Sequence, residues 1–164
     1  SPEHPAIAIV GGAKIETKLP LIQALEKNFD AILVGGKVAN EALDQKLQFS
    51  DKVLLPQDFD SSARLDIGPQ TIAYFTQIIG TAKTIIWNGP MGKFEEKPYD
   101  IGTEAILDAL LRSSAYVVIG GGESLAVLEN ADVIEKVSFV SSGGGAMLEY
   151  LSGQTLPGLA VLEA

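Results

Sequence analysis

Cysteine is absent from this 164-residue chain, and histidine occurs once. The first absence excludes disulfides, thiolate metal sites and cysteine nucleophiles, and it suits a reducing compartment. The second leaves no histidine pair for a metal and no Ser/His/Asp arrangement, so acid–base hydrolysis is not advertised. His4 itself reads as part of an N-terminal tail, where solvated side chains are the rule. Basic residues are few as well. The 12 Lys+Arg are scattered among 21 Asp+Glu, for a net charge of −9, which argues against nucleic acid as a partner. Phosphorylated small molecules stay open, because a few local donors in a cleft outweigh a distant global charge. The longest apolar runs are strand-length and end in glycine, so no membrane span is expected. The start, Ser1 to Pro5, has no basic stretch ahead of an apolar one, as a signal segment would. A cytoplasmic location is the expectation. The missing initiator methionine fits a processed or dissected chain.

What is present is a regular alternation. Hydrophobic residues make up 46% of the chain, enough for a sizeable core, and the length fits one compact domain. Strands are expected at Ala6–Val10, 31–35, 52–56, Thr84–Asn88, 115–119 and 136–140. Helices are expected from about Thr17 or Lys18, over 38–43, from the Asp66-Ile67-Gly68-Pro69 run onward, over Ile101–Arg112, over 124–130, and up to about Leu151. Pro20 is tolerable only in a first turn, which sets the first of these starts. Ile72, Phe75, Ile78 and Ile79 recur at helical spacing. Residues 57–64 lack periodicity and read as a loop. Continuous β-branched strands alternating with helices predict a Rossmann-like three-layer αβα sandwich on a six-stranded parallel sheet.

Five of the six strands run into glycine: Gly11-Gly12, Gly35-Gly36, Gly89, Gly120 to Gly122, and Gly143 to Gly145. In an open parallel sheet those turns share the carboxyl edge, where ligands bind. Tight turns alone would also use glycine, but five at one edge favour a crevice. After the first strand, Lys14 and Lys18 add positive charge four residues apart beside glycines and a helix start, a phosphate-binding layout without Walker spacing. An ordinary strand–turn–helix corner would carry the same residues. Asn88 and Pro90 follow the fourth strand, as ligand contacts or as turn residues. Glu95 is either a sugar-hydroxyl partner or an exposed loop acid. Trp87 reads as core. Glu123 sits in a glycine nest at a helix start. It is either a Mg²⁺ ligand beside phosphate or a first-turn acid complementing the helix dipole. Glycine turns, two lysines and one acid suit phosphoryl transfer.

Six motifs occur in order: Val10-Gly11-Gly12-Ala13-Lys14 with Lys18, Asp66 to Pro69, Trp87 to Gly92, Gly120 to Ser124, Ser142 to Ala146, and Leu156-Pro157-Gly158. Together they resemble the C-terminal, nucleotide-binding domain of phosphoglycerate kinase over nearly the whole chain. The resemblance implies reversible phosphoryl transfer between 1,3-bisphosphoglycerate and ADP, giving 3-phosphoglycerate and ATP, with Mg²⁺. It also implies two domains closing about a hinge, the phosphoglycerate being held by an N-terminal domain outside this sequence. By motif position, Lys14 would stabilise the phosphoryl group in flight and Lys18 would grip nucleotide phosphates. Gly11, Gly12, Gly35 and Gly36 would approach the nucleotide. Asn88, Gly89 and Pro90 would line the site, and Glu95 would hold the ribose. Gly121 and Gly122 would give backbone donors, Glu123 would take the metal, and Ser124 would stand beside it. Gly122 and Gly144 join the two lysines as catalytic positions, Gly143 to Gly145 facing the transferred group. The catalytic expectation is for the two-domain enzyme, since the missing domain would also carry the catalytic arginine.

Three departures stand out. Glu123 replaces the family's usual Asp. Lys37 replaces the third glycine after the second strand, which would crowd or charge the nucleotide side. The segment between Leu43 and Asp66 is much shorter than in the family, which thins the expected adenine wall. A non-catalytic nucleotide-binding module built on the same fold is the second reading. A dinucleotide dehydrogenase domain lacks its Gly-x-Gly-x-x-Gly after the first strand.

Overall fold

A computed structural model describes residues 2–131 and 133–161. Six parallel strands form one sheet: β1 (Ala6–Val10), β2 (Ala31–Val34), β3 (Val53–Leu54), β4 (Thr84–Asn88), β5 (Tyr116–Gly120) and β6 (Phe139–Ser141). Their order is 3-2-1-4-5-6, that of the doubly wound nucleotide-binding sheets. The order reverses between β1 and β4, so the switch-point crevice opens where Val10 and Asn88 end as register partners.

Strand alternation divides the core between the two faces. Ile7, Ile9, Leu33, Ile85, Trp87 and Ile119 point one way, onto α3 (Pro69–Ile79), α4 (Ile101–Arg112) and α5 (Gly122–Asn130). Ala6, Ala8, Val10, Ile32, Val34 and Ile86 point the other way, onto α1 (Ile15–Leu25), α2 (Gly36–Asp44) and α6 (Gly144–Leu151). The expected three-layer αβα sandwich is therefore the observed fold. Every strand's carboxyl end reaches the same edge, which gathers the five glycine turns.

Several boundaries differ from the sequence expectation. Helix α1 begins at Ile15, so Pro20 lies inside the helix and not in its first turn. The start is fixed from outside: the Ile15 N–H donates to Glu41 Oε2 at 2.9 Å. Helices α2 and α5 begin on the glycines Gly36 and Gly122 themselves. Strand β3 is only two residues long, an edge strand that stops short of Pro56, which has no N–H to give. A 3-10 turn, Ile134–Lys136, takes the start of the sixth expected strand, and β6 pairs only along Val118–Gly120. Residues 57–64 are irregular as expected, but Phe59 forms an antiparallel bridge to Ile67 that folds the segment back on itself. A last short helix, α7 (Pro157–Ala160), has no counterpart in the sequence expectation. His4 is exposed yet anchored, its Nδ1 lying 2.6 Å from Asp30 Oδ2. Among the described residues no helix is long and apolar enough to cross a membrane.

Candidate functional site

Asn88 joins the two halves of the sheet edge. Its carbonyl accepts the Gly11 N–H at 2.8 Å, tying β4 to the turn after β1. Its side-chain Nδ2 donates to the Gly120 carbonyl at 2.6 Å, tying it to the turn after β5. Its Oδ1 accepts from the Lys18 ammonium. One residue further, the Gly89 N–H donates to Ser124 Oγ at 2.7 Å, and the Gly89 carbonyl accepts the Trp87 indole N–H at 2.7 Å. Trp87 is fully buried, as expected of a core residue.

Two cavities open on this edge. The smaller, about 340 Å³, is lined by Lys18, Asn88, Gly89, Gly121 to Ser124 and Gly145. It is small, glycine-walled and served by one cation at the mouth of α5, whose first N–H groups have no intrahelical partner. The larger, about 490 Å³ and mostly apolar, lies between Gly12-Ala13, Gly36 to Asn40, Ala63 to Leu65, and Pro90 to Glu95. Glu123 borders both. Burial lowers the pKa of the Lys18 ammonium below the ordinary lysine value, while the nearby Glu123 charge works to restore it. A half-buried cation whose one hydrogen-bond partner is a neutral amide has capacity left for an anion.

Behind the larger cavity, next to its lining residue Leu65, lies Asp66. This buried carboxylate accepts the Ile67 N–H at 2.9 Å and the Gly102 N–H, at the start of α4, at 2.7 Å. Next to it the Leu65 carbonyl accepts the Lys93 N–H at 2.8 Å, so segment 57–68 and loop 89–100 are clamped together. Burial raises the Asp66 pKa to about 6. The two backbone N–H groups oppose that rise, and Asp60 and Asp100 add to it. Protonated Asp66 therefore favours the folded state, fully below the unfolded-chain value near ~4. That contribution, roughly 2–3 kcal/mol, is lost as pH rises through about 6. Asp58 acts in the opposite sense: burial raises its pKa, but hydrogen bonds from Gln70 and Thr71 outweigh it. The measurement is therefore a difference. Urea unfolding of wild type minus Asp66→Asn, followed from pH 4 to pH 8, is expected to decline through pH 6. A flat difference would show that Asp66 does not titrate there.

The expected residues fall into four groups. Lys18, Asn88, Gly89, Gly121, Gly122, Glu123 and Ser124 line the smaller cavity; Gly12, Gly36, Pro90 and Glu95 line the larger. Gly11, Gly35 and Gly144 are buried behind the walls. Lys14 is exposed and borders neither cavity. Lys37 lines the larger cavity, and its ammonium lies 3.7 Å from Glu41. Sequence reasoning missed Asn40, Arg64, Leu65 and Lys93. Asn40 lies one helical turn beyond Gly36 and could have been found from that spacing. The other three are brought in by the bonds from the Lys93 N–H to the Leu65 carbonyl and from Asn40 to the Arg64 carbonyl, which leave no local signal. Asn40 gives its Nδ2 to the Arg64 carbonyl at 2.8 Å, and its buried Oδ1 has no partner.

No cluster of three metal-ligating side chains exists among the described residues. Among those residues an all-protein metal cage is thus not available. A Mg²⁺ held by one carboxylate and ligand phosphate oxygens needs less, and the exposed Glu123 at the junction of both cavities fits that arrangement.

A family model described as phosphoglycerate kinase matches residues 1–62 and 44–154. The phosphoglycerate kinase of Solibacter usitatus is 36% identical over 203 aligned positions covering 99% of this chain and 52% of the relative. That of Herpetosiphon aurantiacus is 38% identical over 207 positions, again with 99% and 52% coverage. These alignments are longer than the 164-residue chain, so the relatives carry stretches with no counterpart here. The solved phosphoglycerate kinase of Coxiella burnetii superposes with a TM-score of 0.89 at 33% identity, covering 99% of this chain and 54% of that one. That of Pyrococcus horikoshii gives 0.84 at 29% identity, with 98% and 52%. The chain spans about half the length of the relatives it matches.

Proposed function

The chain belongs to the phosphoglycerate kinase family, and on that footing we propose that it is the family's nucleotide-binding domain, a cytoplasmic half-enzyme that takes MgADP or MgATP. The observation that carries this reading is the pair of cavities meeting at Glu123. The apolar one suits a base and ribose, and the glycine-walled one suits the phosphates. Lys18 would pass from Asn88 to a nucleotide phosphate. Gly121 and Gly122 would give backbone N–H donors, and Glu95 would accept from the ribose hydroxyls. Bound Mg²⁺ would neutralise phosphate charge, with Glu123 as its protein ligand. Lys14, on the rim, would meet the phosphoryl group passing between ADP and the acyl phosphate of 1,3-bisphosphoglycerate. The ADP terminal oxygen would form the new bond to phosphorus as the carboxylate of 3-phosphoglycerate leaves. The phosphoglycerate itself would be held by residues in the half of the relatives' length that this sequence does not span, so the chain would not turn over alone.

Titration calorimetry with MgADP tests the binding claim, and absence of heat at millimolar nucleotide in a folded sample would sink it. Lys18→Ala is expected to weaken binding by about 10- to 100-fold, the worth of one charge-assisted hydrogen bond. The second reading, a nucleotide-binding module without catalysis, draws on the longer Glu123 side chain. It predicts intact MgADP binding with no ATP formation even when an N-terminal half is supplied.

A further inference from the structure

Helix α1 carries Lys18 and follows directly on Lys14, yet its first turn lacks a local cap. Lys14 is the N-cap residue and offers no side-chain acceptor to the helix. The cap comes from another helix. Glu41, on α2 and about a quarter exposed, accepts the Ile15 N–H at 2.9 Å through Oε2. The same helix holds the other side of Lys14, because the Val38 N–H donates to the Gly12 carbonyl at 3.1 Å. Gly36 packs so closely on Gly12 and Pro90 that a Cβ there would meet their backbones. The backbone around Lys14 is therefore held on both sides by α2.

A carboxylate in this position has a cost. It favours the positive end of α1, but it sets negative charge beside a site meant for phosphates. Lys37 offsets that charge: it stands one turn before Glu41 on α2, with its ammonium 3.7 Å from Oε1. Lys37, which interrupts the glycine run after β2, thus pairs with Glu41.

We propose that Glu41 is a positioning residue that caps α1 from α2 and so fixes Lys14 at the rim, with Lys37 as its counter-ion. This rests on the nucleotide reading above for its purpose, but not for its test. Glu41→Ala is expected to raise amide hydrogen exchange at Ile15 about tenfold and to increase backbone mobility at Lys14 in 15N relaxation, both in the unliganded chain. Its MgADP dissociation constant is expected to stay within about twofold of wild type, because Lys14 borders neither cavity. Glu41→Gln keeps an acceptor oxygen and drops the charge. It is expected to restore the Ile15 protection and bind MgADP at least as well as wild type. An Ile15 amide as protected in Glu41→Ala as in wild type would overturn the proposal. So would Glu41→Ala binding MgADP more tightly than wild type, which would make Glu41 an electrostatic brake and not a support. If wild type binds no MgADP, the functional reading fails, and exchange at Ile15 with relaxation at Lys14 still decides this one.

Discussion

Lys14→Ala, in a chain joined to an N-terminal phosphoglycerate kinase half, is expected to slow ATP formation by about 10²- to 10³-fold, the usual cost of one donor aimed at transition-state charge. MgADP affinity is expected to change little, because Lys14 borders neither cavity. This separation distinguishes the two lysines. Lys18 is half-buried and bonded to Asn88, so its loss should appear in binding. Lys14 is exposed at the helix start, with no ion-pair partner among the described residues. Its loss should appear in the transfer step. The measurement is single-turnover ATP formation from 1,3-bisphosphoglycerate at saturating MgADP, with calorimetry alongside. Equal losses in rate and affinity would place Lys14 on the nucleotide and remove it from the transfer step. An unchanged rate would remove Lys14 from the transfer step, whereas no ATP formation by the wild-type joined chain would favour the module reading.

The fold was legible because its signals are local. Each strand of β1, β2, β4 and β5 is a short β-branched run ending in glycine, and parallel crossovers leave few ways to connect them. The poorly read elements are those set by partners. Pro20 pointed to a later start for α1 than Glu41 imposes from 26 residues away. The ends of β3 and β6 depend on one neighbour each. In the site, Lys18, Asn88 and Glu123 could be named from motifs. The walls formed by Arg64, Leu65 and Lys93 could not. They reach the cavity through long-range bonds, Asn40 to the Arg64 carbonyl and the Lys93 N–H to the Leu65 carbonyl, which no local pattern announces.

The glycines show the limit of sequence reading most clearly, because the motifs name them as one set and the structure splits that set in two. Gly89 belongs to the fold. Its φ is +91°, a region that side chains rarely adopt, and a Cβ there would press on the backbone of Gly11 and Gly12. Its carbonyl and N–H also anchor Trp87 and Ser124. Gly122 lies open, with nothing within 4 Å of where its Cβ would stand. Gly89→Val is therefore expected to cost about 3–5 kcal/mol, combining backbone strain with overpacking. That is a large part of the 5–15 kcal/mol typical of a folded domain. Urea unfolding followed by Trp87 fluorescence reads it directly, since Trp87 is the only tryptophan. Gly122→Ala is expected to leave stability equal or higher by about 0.5 kcal/mol, since it removes freedom from the unfolded chain. The same variant should weaken MgADP binding, because the methyl group enters the cavity that the phosphates would occupy. A Gly89→Val chain as stable as wild type would mean that the β1 and β4 turns do not pack as described. A Gly122→Ala chain that binds MgADP normally would move the phosphates away from the start of α5.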